Sequence, residues 1–286
     1  MKNFDIDSRV LIVGLGLLGG SYAKALSKKG MYVSAIDTRR ESIDYAIDNG
    51  IINDGSDKVE KRLVENADVI VFALYPKVFI NWIKENQSLI KPGTLITDVT
   101  GVKKCVVDEI NAVLRDDLEF VAAHPMAGRE VYGVENSDDR IFNGANYIVV
   151  TTEKNTKEAI DNCKKLGIYL GFARIAVLSP EKHDEMIGFV SQLTHCIAVS
   201  LMTCCDNESL VDYTGDSFRD LTRIARINDA MWSELFMLNR EQLLEQMDLF
   251  INEFIGMRNL ISDGDVDKLR DKMKLSTKRR ALFDRK

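Results

Sequence analysis

A strand-like run, Val10–Val13, is followed directly by a turn with three spaced glycines, Gly14–Gly19 (GLGLLG). In a strand–turn–helix unit, the first glycine permits the tight turn and the third lets the helix pack close to the strand. The second lets a phosphate approach the backbone at the start of the helix, where free N–H groups favour an anion. The motif therefore predicts an α/β unit with an anion-binding turn.

The next strand-like run, Tyr32–Ile36, ends at Asp37. An acidic residue roughly 20 residues beyond a glycine turn meets the ribose hydroxyls of a bound dinucleotide. The charge of Asp37 repels a 2′-phosphate and favours NAD, whereas Arg39 and Arg40 could attract that phosphate and leave NADP as the alternative. The residues predicted to bind the cofactor lie in the turn or at strand ends: Gly14, Gly16, Leu17, Leu18, Gly19, Asp37 and Leu74.

Apolar runs alternate with helix-length segments through residue 178. The predicted strands are Val10–Gly14, Tyr32–Ile36, Asp68–Leu74, Thr94–Val99, Glu119–Ala123, Tyr147–Thr151 and Ala173–Leu178. The predicted helices include Leu18–Lys29, Lys77–Asn86, Lys103–Leu114 and Thr156–Leu170. Continuous apolar strands separated by helices predict a parallel sheet that is covered on both faces. Residues 1–178 are therefore predicted to form an NAD-binding domain of the Rossmann type.

The composition changes after residue 178. Ser179 and Pro180 are typical of a helix N-cap and its first position, and no proline follows. Apolar residues then recur at intervals of three and four, which predicts helices. We expect an α/β protein whose residues 179–286 form an all-helical substrate and dimerisation domain. These helices carry more apolar surface than one face each would bury, so a homodimer is predicted.

Composition excludes several classes of function. The 286-residue chain has a formal charge of −6, which argues against nucleic acid as a partner. No apolar run approaches the roughly 18 residues that span a bilayer, and the N-terminus lacks the apolar region of a signal peptide. The five cysteines form neither a metal-binding spacing nor a disulfide framework. We therefore expect a reduced, cytoplasmic protein without a metal site.

The pentapeptide at residues 124–128, His-Pro-Met-Ala-Gly, places one of only three histidines after the apolar run Phe120–Ala123. In an open α/β sheet, ligands bind in the crevice above the carboxyl ends of the strands. An imidazole with an unperturbed pKa of about 6.5 can take up a proton there near neutral pH. Together with a hydride acceptor, this makes His124 the candidate base of a dehydrogenase.

Four segments together resemble one family. They are Gly14–Gly19, Asp98–Lys103, His124–Gly128 with Glu130, and Phe218–Ala225 followed by Met231 and Trp232. The arrangement resembles the prephenate/arogenate dehydrogenases of tyrosine biosynthesis, over nearly the whole chain. This resemblance implies a cyclohexadienol substrate that carries a ring hydroxyl and a ring carboxylate. A base withdraws the hydroxyl proton, a hydride passes to the nicotinamide, and the carboxylate leaves as CO₂.

The resemblance also assigns roles to individual residues. His124 matches the catalytic histidine, and Arg223 matches the arginine whose planar guanidinium pairs with the substrate carboxylate. For Arg223, an ion pair with Asp220 on one helix face is the structural alternative. We group His124, Thr100 and Arg223 as catalytic. The predicted substrate-binding residues are Glu130, Gln192, His195, Asp220 and Trp232.

Some of these assignments have a simpler structural alternative. Glu130 could be a solvated loop residue, Trp232 could belong to the core, and His183, in the first turn of a helix, is interpreted as structural. Another dehydrogenase on the same plan, of the β-hydroxyacid type, would place a lysine base on the helical domain, where no comparable motif stands out. A dinucleotide-binding sensor without activity is the non-catalytic alternative.

The chain departs from the family pattern at three points. Thr100 and Gly101 stand where the family usually has glycine and serine, so the serine hydroxyl is absent or supplied one residue earlier. Gln192 replaces a histidine, and Asp216 adds an acid near the arginine segment. The neutral amide removes one contact thought to favour prephenate, and the added carboxylate would suit a substrate with an ammonium group. The resemblance implies prephenate as the substrate, and these changes keep arogenate as the alternative.

Overall fold

The structure is a computed structural model that describes residues 2–129 and 131–284. The chain divides into two compact units, Met1–Asn239 and Arg240–Lys286. Each unit is described separately below.

The first unit is built on a parallel sheet. Its strands are β1 (Arg9–Val13), β2 (Tyr32–Ile36), β3 (Asp54–Ser56), β4 (Val69–Phe72), β5 (Leu95–Asp98) and β6 (Glu119–Phe120). They pair in the order β3-β2-β1-β4-β5-β6, and every pair is parallel. This strand order is that of dinucleotide-binding folds, and it confirms the predicted Rossmann-type sheet. Strand β3 escaped prediction because its sequence, Asp-Gly-Ser, contains no apolar run.

The predicted strands Tyr147–Thr151 and Ala173–Leu178 do not join the parallel sheet but belong to a second, smaller one. It contains β7 (Ala122–Pro125), β8 (Asn146–Val150) and β9 (Arg174–Leu178), with β7 antiparallel and β9 parallel to β8. The prediction of one strand over Glu119–Ala123 is therefore wrong, because that segment leaves the large sheet at Val121 and continues in the small one. The residues on both sides of Val121 are equally apolar, so nothing in the pattern marks the change. His124 lies within β7, opposite Ile148.

The described residues of the first unit contain ten α-helices. They are α1 (Leu17–Ser27), α2 (Arg40–Asp48), α3 (Lys61–Glu65), α4 (Pro76–Asn86), α5 (Lys104–Val113), α6 (Lys157–Leu170), α7 (Pro180–Ile187), α8 (Thr194–Thr203), α9 (Asp216–Thr222) and α10 (Asp229–Leu238). Val10 and Ile12 of β1 belong to one buried cluster, whereas Leu11 and Val13 belong to another. The parallel sheet thus buries both faces, which explains its continuous apolar strands.

Helix α7 starts where the sequence predicted. The Ser179 hydroxyl accepts a hydrogen bond from the Lys182 N–H at 3.2 Å, and Pro180 occupies the first helical position. A π-helical turn, Gly188–Leu193, joins α7 to α8. By length and composition alone, the helical stretch Pro180–Thr203 could cross a membrane, because an 18-residue window within it has a mean hydropathy of 1.4. Polar residues interrupt this stretch, so it contains no continuous apolar run of that length.

In the part of the chain that the structure describes, the second unit contains two α-helices, α11 (Arg240–Ser262) and α12 (Val266–Arg280), and a 3₁₀ turn, Ala281–Phe283. Gly264 connects them with a φ of +67°, a left-handed conformation that favours glycine. Lys272 Nζ lies 3.0 Å from Glu253 Oε1 and joins α12 to α11. Together with α7–α10, these elements confirm that the chain beyond residue 179 is helical.

Candidate active site

The glycine turn between β1 and α1 leaves the start of the helix open. A Cβ on Gly14 would lie 2.5 Å from the Ala73 carbonyl oxygen, and a Cβ on Gly19 would lie 1.9 Å from the Gly14 carbonyl oxygen. At Gly16, by contrast, no atom of the described residues lies within 4 Å of the Cβ position. Because Gly16 is the N-cap of α1 and has no side chain, the first N–H groups of the helix remain available. This open cradle fits a pyrophosphate.

Asp37 stands beside the same turn. Its carboxylate accepts hydrogen bonds from the Leu15 N–H at 2.6 Å and the Arg39 N–H at 2.8 Å. The Arg40 guanidinium lies 2.8 Å from Asp44, so a second carboxylate occupies it. The Leu74 side chain lies 2.9 Å from the position of a Gly14 Cβ. The predicted cofactor residues thus surround one turn, and an acid, not an arginine, stands at the end of β2.

A buried ion pair follows strand β5. Lys103 Nζ lies 2.6 Å from Asp98 Oδ2, and neither side chain is exposed. The Thr100 hydroxyl hydrogen-bonds Asp98 and lies 2.9 Å from the Val102 carbonyl oxygen. The same hydroxyl oxygen accepts a hydrogen bond from Lys103 Nζ at 3.1 Å. Asp98 also accepts the Ala123 N–H at 3.1 Å and thereby ties β5 to the strand that carries His124. The Thr100 hydroxyl is therefore hydrogen-bonded to both members of this ion pair.

His124 is the first of three side chains in a hydrogen-bonded chain. Its Nδ1 lies 2.8 Å from Nε2 of His183, and Nδ1 of His183 lies 2.7 Å from Oδ1 of Asp184. Both oxygens of Asp184 also accept backbone N–H groups at 2.8 Å, from Lys103 and Lys104 at the start of α5. His183 and Asp184 are buried, whereas His124 is half-buried. These hydrogen bonds connect α7 with the start of α5 and with β7.

The electrostatics of this chain favour neutral imidazoles. Burial lowers the pKa of His124 well below its usual 6.5, and the neighbouring His183 and Lys103 lower it further. Burial also lowers the pKa of His183, against the opposing effect of Asp184. The pKa of Lys103 is lowered by burial, although Asp98 opposes that shift. His124 is therefore unprotonated at neutral pH and able to accept a proton.

Gln192 is connected to Asp184 through Asn239. Its Nε2 donates to the Leu235 carbonyl oxygen at 3.1 Å, and its Oε1 accepts from Asn239 Nδ2 at 2.7 Å. Asn239 Nδ2 also donates to the Asp184 carbonyl oxygen at 3.0 Å. Since Gln192 is 1% exposed, its amide contacts α10 and does not face open space.

The other predicted substrate residues gather on α8, α9 and α10. The rings of His195 and Trp232 stack with centroids 3.7 Å apart, and the Ser191 carbonyl oxygen lies 2.9 Å from His195 Nδ1. Trp232 is also packed against the buried cluster that contains Leu235, as its structural alternative predicts. Arg223 opens a 3₁₀ turn that packs against α8, and Asp220 is exposed on α9. Glu130 lies outside the described residues.

Sequence reasoning missed most of the polar chain around His124. His183 was interpreted as structural, and Asp184, Asp98 and Lys103 received no role. The available signal was the pair of a histidine and an acid in the first turns of a helix capped by Ser179 and Pro180. The role of that pair is visible only in the fold, where His183 contacts His124 of β7.

Two family models match this chain. The family model described as prephenate dehydrogenase, nucleotide-binding domain, matches residues 22–172. The family model described as prephenate dehydrogenase, dimerization domain, matches residues 179–275.

Individual relatives extend the match over nearly the whole chain. A prephenate dehydrogenase of Bacillus subtilis (strain 168) is 32% identical over 267 residues, which cover 91% of this chain and 72% of that protein. A cyclohexadienyl dehydrogenase of Zymomonas mobilis is 26% identical over 279 residues, covering 95% of this chain and 94% of the relative. The crystal structure of A. aeolicus prephenate dehydrogenase in complex with hydroxyphenyl propionate and NAD+ has a TM-score of 0.88 at 30% identity, covering 99% of this chain and 100% of that one. The chain therefore belongs to the prephenate dehydrogenase family.

Proposed function

We propose that this chain is an NAD-dependent prephenate dehydrogenase, which oxidatively decarboxylates prephenate to 4-hydroxyphenylpyruvate. The observation that carries the proposal is the half-buried His124, whose Nδ1 contacts His183 and whose pKa is lowered. A base of this kind is what removal of a ring hydroxyl proton requires. The open start of α1 and Asp37 supply the features that a bound NAD needs.

In the mechanism, the proton of the substrate's ring hydroxyl passes to Nε2 of His124, the imidazole nitrogen that does not face His183. A bound NAD, held by the glycine turn and Asp37, would supply the acceptor for the hydride that leaves the carbon bearing that hydroxyl. The electron pair of the bond to the ring carboxylate moves through the ring to the former hydroxyl oxygen, CO₂ leaves and the ring becomes aromatic. His124 then returns its proton to that oxygen, which gives the phenol. Arg223 pairs with a substrate carboxylate through its planar guanidinium, and His195 and Trp232 provide a stacked surface for the substrate.

The preference for NAD over NADP rests on the groups at the end of β2. Asp37 lies beside the glycine turn, and its negative charge repels a 2′-phosphate. Arg40 is paired with Asp44, and Arg39 Nε lies 3.9 Å from Asp37. Both guanidiniums that could attract the extra phosphate therefore already face carboxylates.

Prephenate is proposed over arogenate because the two features that suited an ammonium group do not meet an open site. The amide of Gln192 is hydrogen-bonded to α10 and to Asn239. The side chain of Asp216 is 95% exposed and lies 3.3 Å from Arg219. Neither group thus offers a buried contact that would select the amino form of the side chain.

The experiment follows NAD reduction at 340 nm with prephenate, then with arogenate, and repeats both with NADP. We expect reduction of NAD with prephenate at a higher kcat/KM than with arogenate, and a weaker reaction with NADP. A higher kcat/KM with arogenate would replace the substrate assignment, and no reduction with either compound would favour the dinucleotide-binding sensor. Heat-denatured protein provides the blank.

We also propose a two-domain chain that forms a homodimer. A cofactor domain over residues 1–178 and a helical substrate and dimerisation domain over residues 179–286 divide the work as the sequence predicts. A homodimer is supported by exposed apolar side chains on α11: Leu244, Leu249, Ile251, Phe254, Ile255 and Ile261. Sedimentation at micromolar concentration should give a dimer, and a monomer would refute it. All five cysteines are free, which fits a cytoplasmic location.

A further inference from the structure

We infer that His183 and Asp184 are positioning residues, which hold His124 in the one tautomer that can act as the base. The inference deepens the proposed function and rests on it. It assigns a role in the reaction to a buried pair on α7 that does not itself meet the substrate.

The tautomers follow from the acceptor at the end of the chain. Both oxygens of Asp184 accept backbone N–H groups, so the oxygen that faces His183 also acts as an acceptor. His183 must therefore donate through Nδ1–H, and in its neutral form Nε2 carries a lone pair. His124 then has to donate its Nδ1–H to that lone pair. This leaves Nε2 of His124 unprotonated and ready to accept the substrate proton.

The same contacts fix the orientation of the ring. Asp184 is anchored at both oxygens by the first residues of α5, and Asn239 Nδ2 binds its carbonyl oxygen at 3.0 Å. His183 is fully buried and cannot turn without breaking two hydrogen bonds. A base whose ring is held in this way pays little reorganisation when the substrate arrives.

No hydroxyl in the β5–α5 loop takes this role. Gly101 has no side chain, and the Thr100 hydroxyl is hydrogen-bonded to Asp98 and accepts from Lys103 at 3.1 Å. The ring nitrogen that an orienting hydroxyl would approach is occupied by His183 instead. In this chain, therefore, the imidazole is oriented from α7.

The pair also acts after proton transfer. When His124 has accepted the hydroxyl proton it is an imidazolium, and both its nitrogens donate. Its Nδ1–H then donates more strongly to His183, whose own Nδ1–H donates to the Asp184 carboxylate. The carboxylate thus stabilises the new positive charge through His183, without itself taking up a proton.

Two substitutions of His183 separate the contact with His124 from the contact with Asp184. In His183→Asn, the short amide can still donate to Asp184 but no longer reaches His124. In His183→Gln, the longer side chain places a carbonyl oxygen where Nε2 stood, and this oxygen can accept the His124 Nδ1–H. We expect H183N to lower kcat about tenfold to hundredfold, part of the ~10²–10⁴ that a general base contributes. H183Q should recover most of that loss.

The KM values for prephenate and NAD should stay within about twofold in both variants, because His183 meets neither molecule. Equal kcat values in the two variants, or a loss expressed in KM alone, would overturn the positioning role. His124→Asn serves as the reference: if it keeps kcat, the proposed base is wrong. If it loses kcat while H183N does not, only the positioning role is wrong.

The ring nitrogens can also be observed directly in the wild-type protein with NAD bound, which needs no folded variant of His183. The chain has only three histidines, so ¹⁵N-histidine labelling gives few signals, and H124N identifies those of His124. We expect a protonated Nδ1 and an unprotonated Nε2 for His124 near neutral pH. A protonated Nε2 with an unprotonated Nδ1 would refute the tautomer assignment.

Discussion

The glycine turn and the polar chain at His124 are built in opposite ways. The turn lies within Gly14–Gly19, and its chemistry comes from backbone N–H groups at the start of α1. The site at His124 draws side chains from β5, β7 and α7 and from Lys103 at the start of α5, separated by up to 86 residues between Asp98 and Asp184. A backbone site depends on the space around a few glycines. A side-chain site depends on every partner being present, because a buried polar group without a partner is costly.

The largest effect expected at the side-chain site is that of His124→Asn. Loss of a general base should lower kcat by about 10²–10⁴. The Kd of NAD should change little, since the cofactor residues lie at the glycine turn. Stopped-flow or steady-state kinetics, with NAD binding measured by fluorescence, tests both parts. A large loss of NAD affinity would mean that the two sites are not independent.

Lys103→Met tests whether loss of one partner at the side-chain site lowers the free energy of unfolding. It leaves Asp98 buried without its cation, and loss of one member of a buried pair costs about 3–5 kcal/mol. Thermal or urea unfolding should show this decrease. Lys104→Met is the matched control, because Lys104 pairs with Asp108 at the surface, where such a pair is worth about 0–1 kcal/mol. Similar losses in both variants would contradict the special role of the buried pair.

The contrast between the sites also explains how much could be predicted from the sequence. The glycine turn, Asp37 and the parallel sheet follow from local patterns, and the structure has them where they were expected. The switch between sheets at Val121 has no local signal, because apolar residues stand on both sides of it. The role of His183 could not be predicted either. It depends on the contact of His183 with His124, two residues that are distant in sequence.

At the backbone site, Gly16→Ala and Gly19→Ala should behave differently. The Cβ added at Gly16 meets no described atom within 4 Å, so the fold should be retained while the methyl group obstructs the approach of the pyrophosphate. We expect the Kd of NAD to rise about tenfold, equivalent to about 1.4 kcal/mol. Gly19→Ala brings a Cβ to 1.9 Å from a backbone oxygen and should lower the melting temperature as well. An unchanged Kd in G16A would contradict the assigned cradle.

The smallest effect concerns pH and reports on how the fold tunes its base. His124 acts in its unprotonated form, and burial together with His183 and Lys103 lowers its pKa well below 6.5. As the pH falls, kcat/KM should therefore stay near its plateau at pH 6.5 and decline only at lower pH. A base with an unshifted pKa would already be half protonated at pH 6.5, so the difference there is at most about twofold. The pH profile of kcat/KM measures this directly, with stability checked at each pH because the lowered pKa of His183 also makes folding less favourable in acid. A midpoint at or above pH 6.5 would mean that burial, His183 and Lys103 do not lower the pKa of His124.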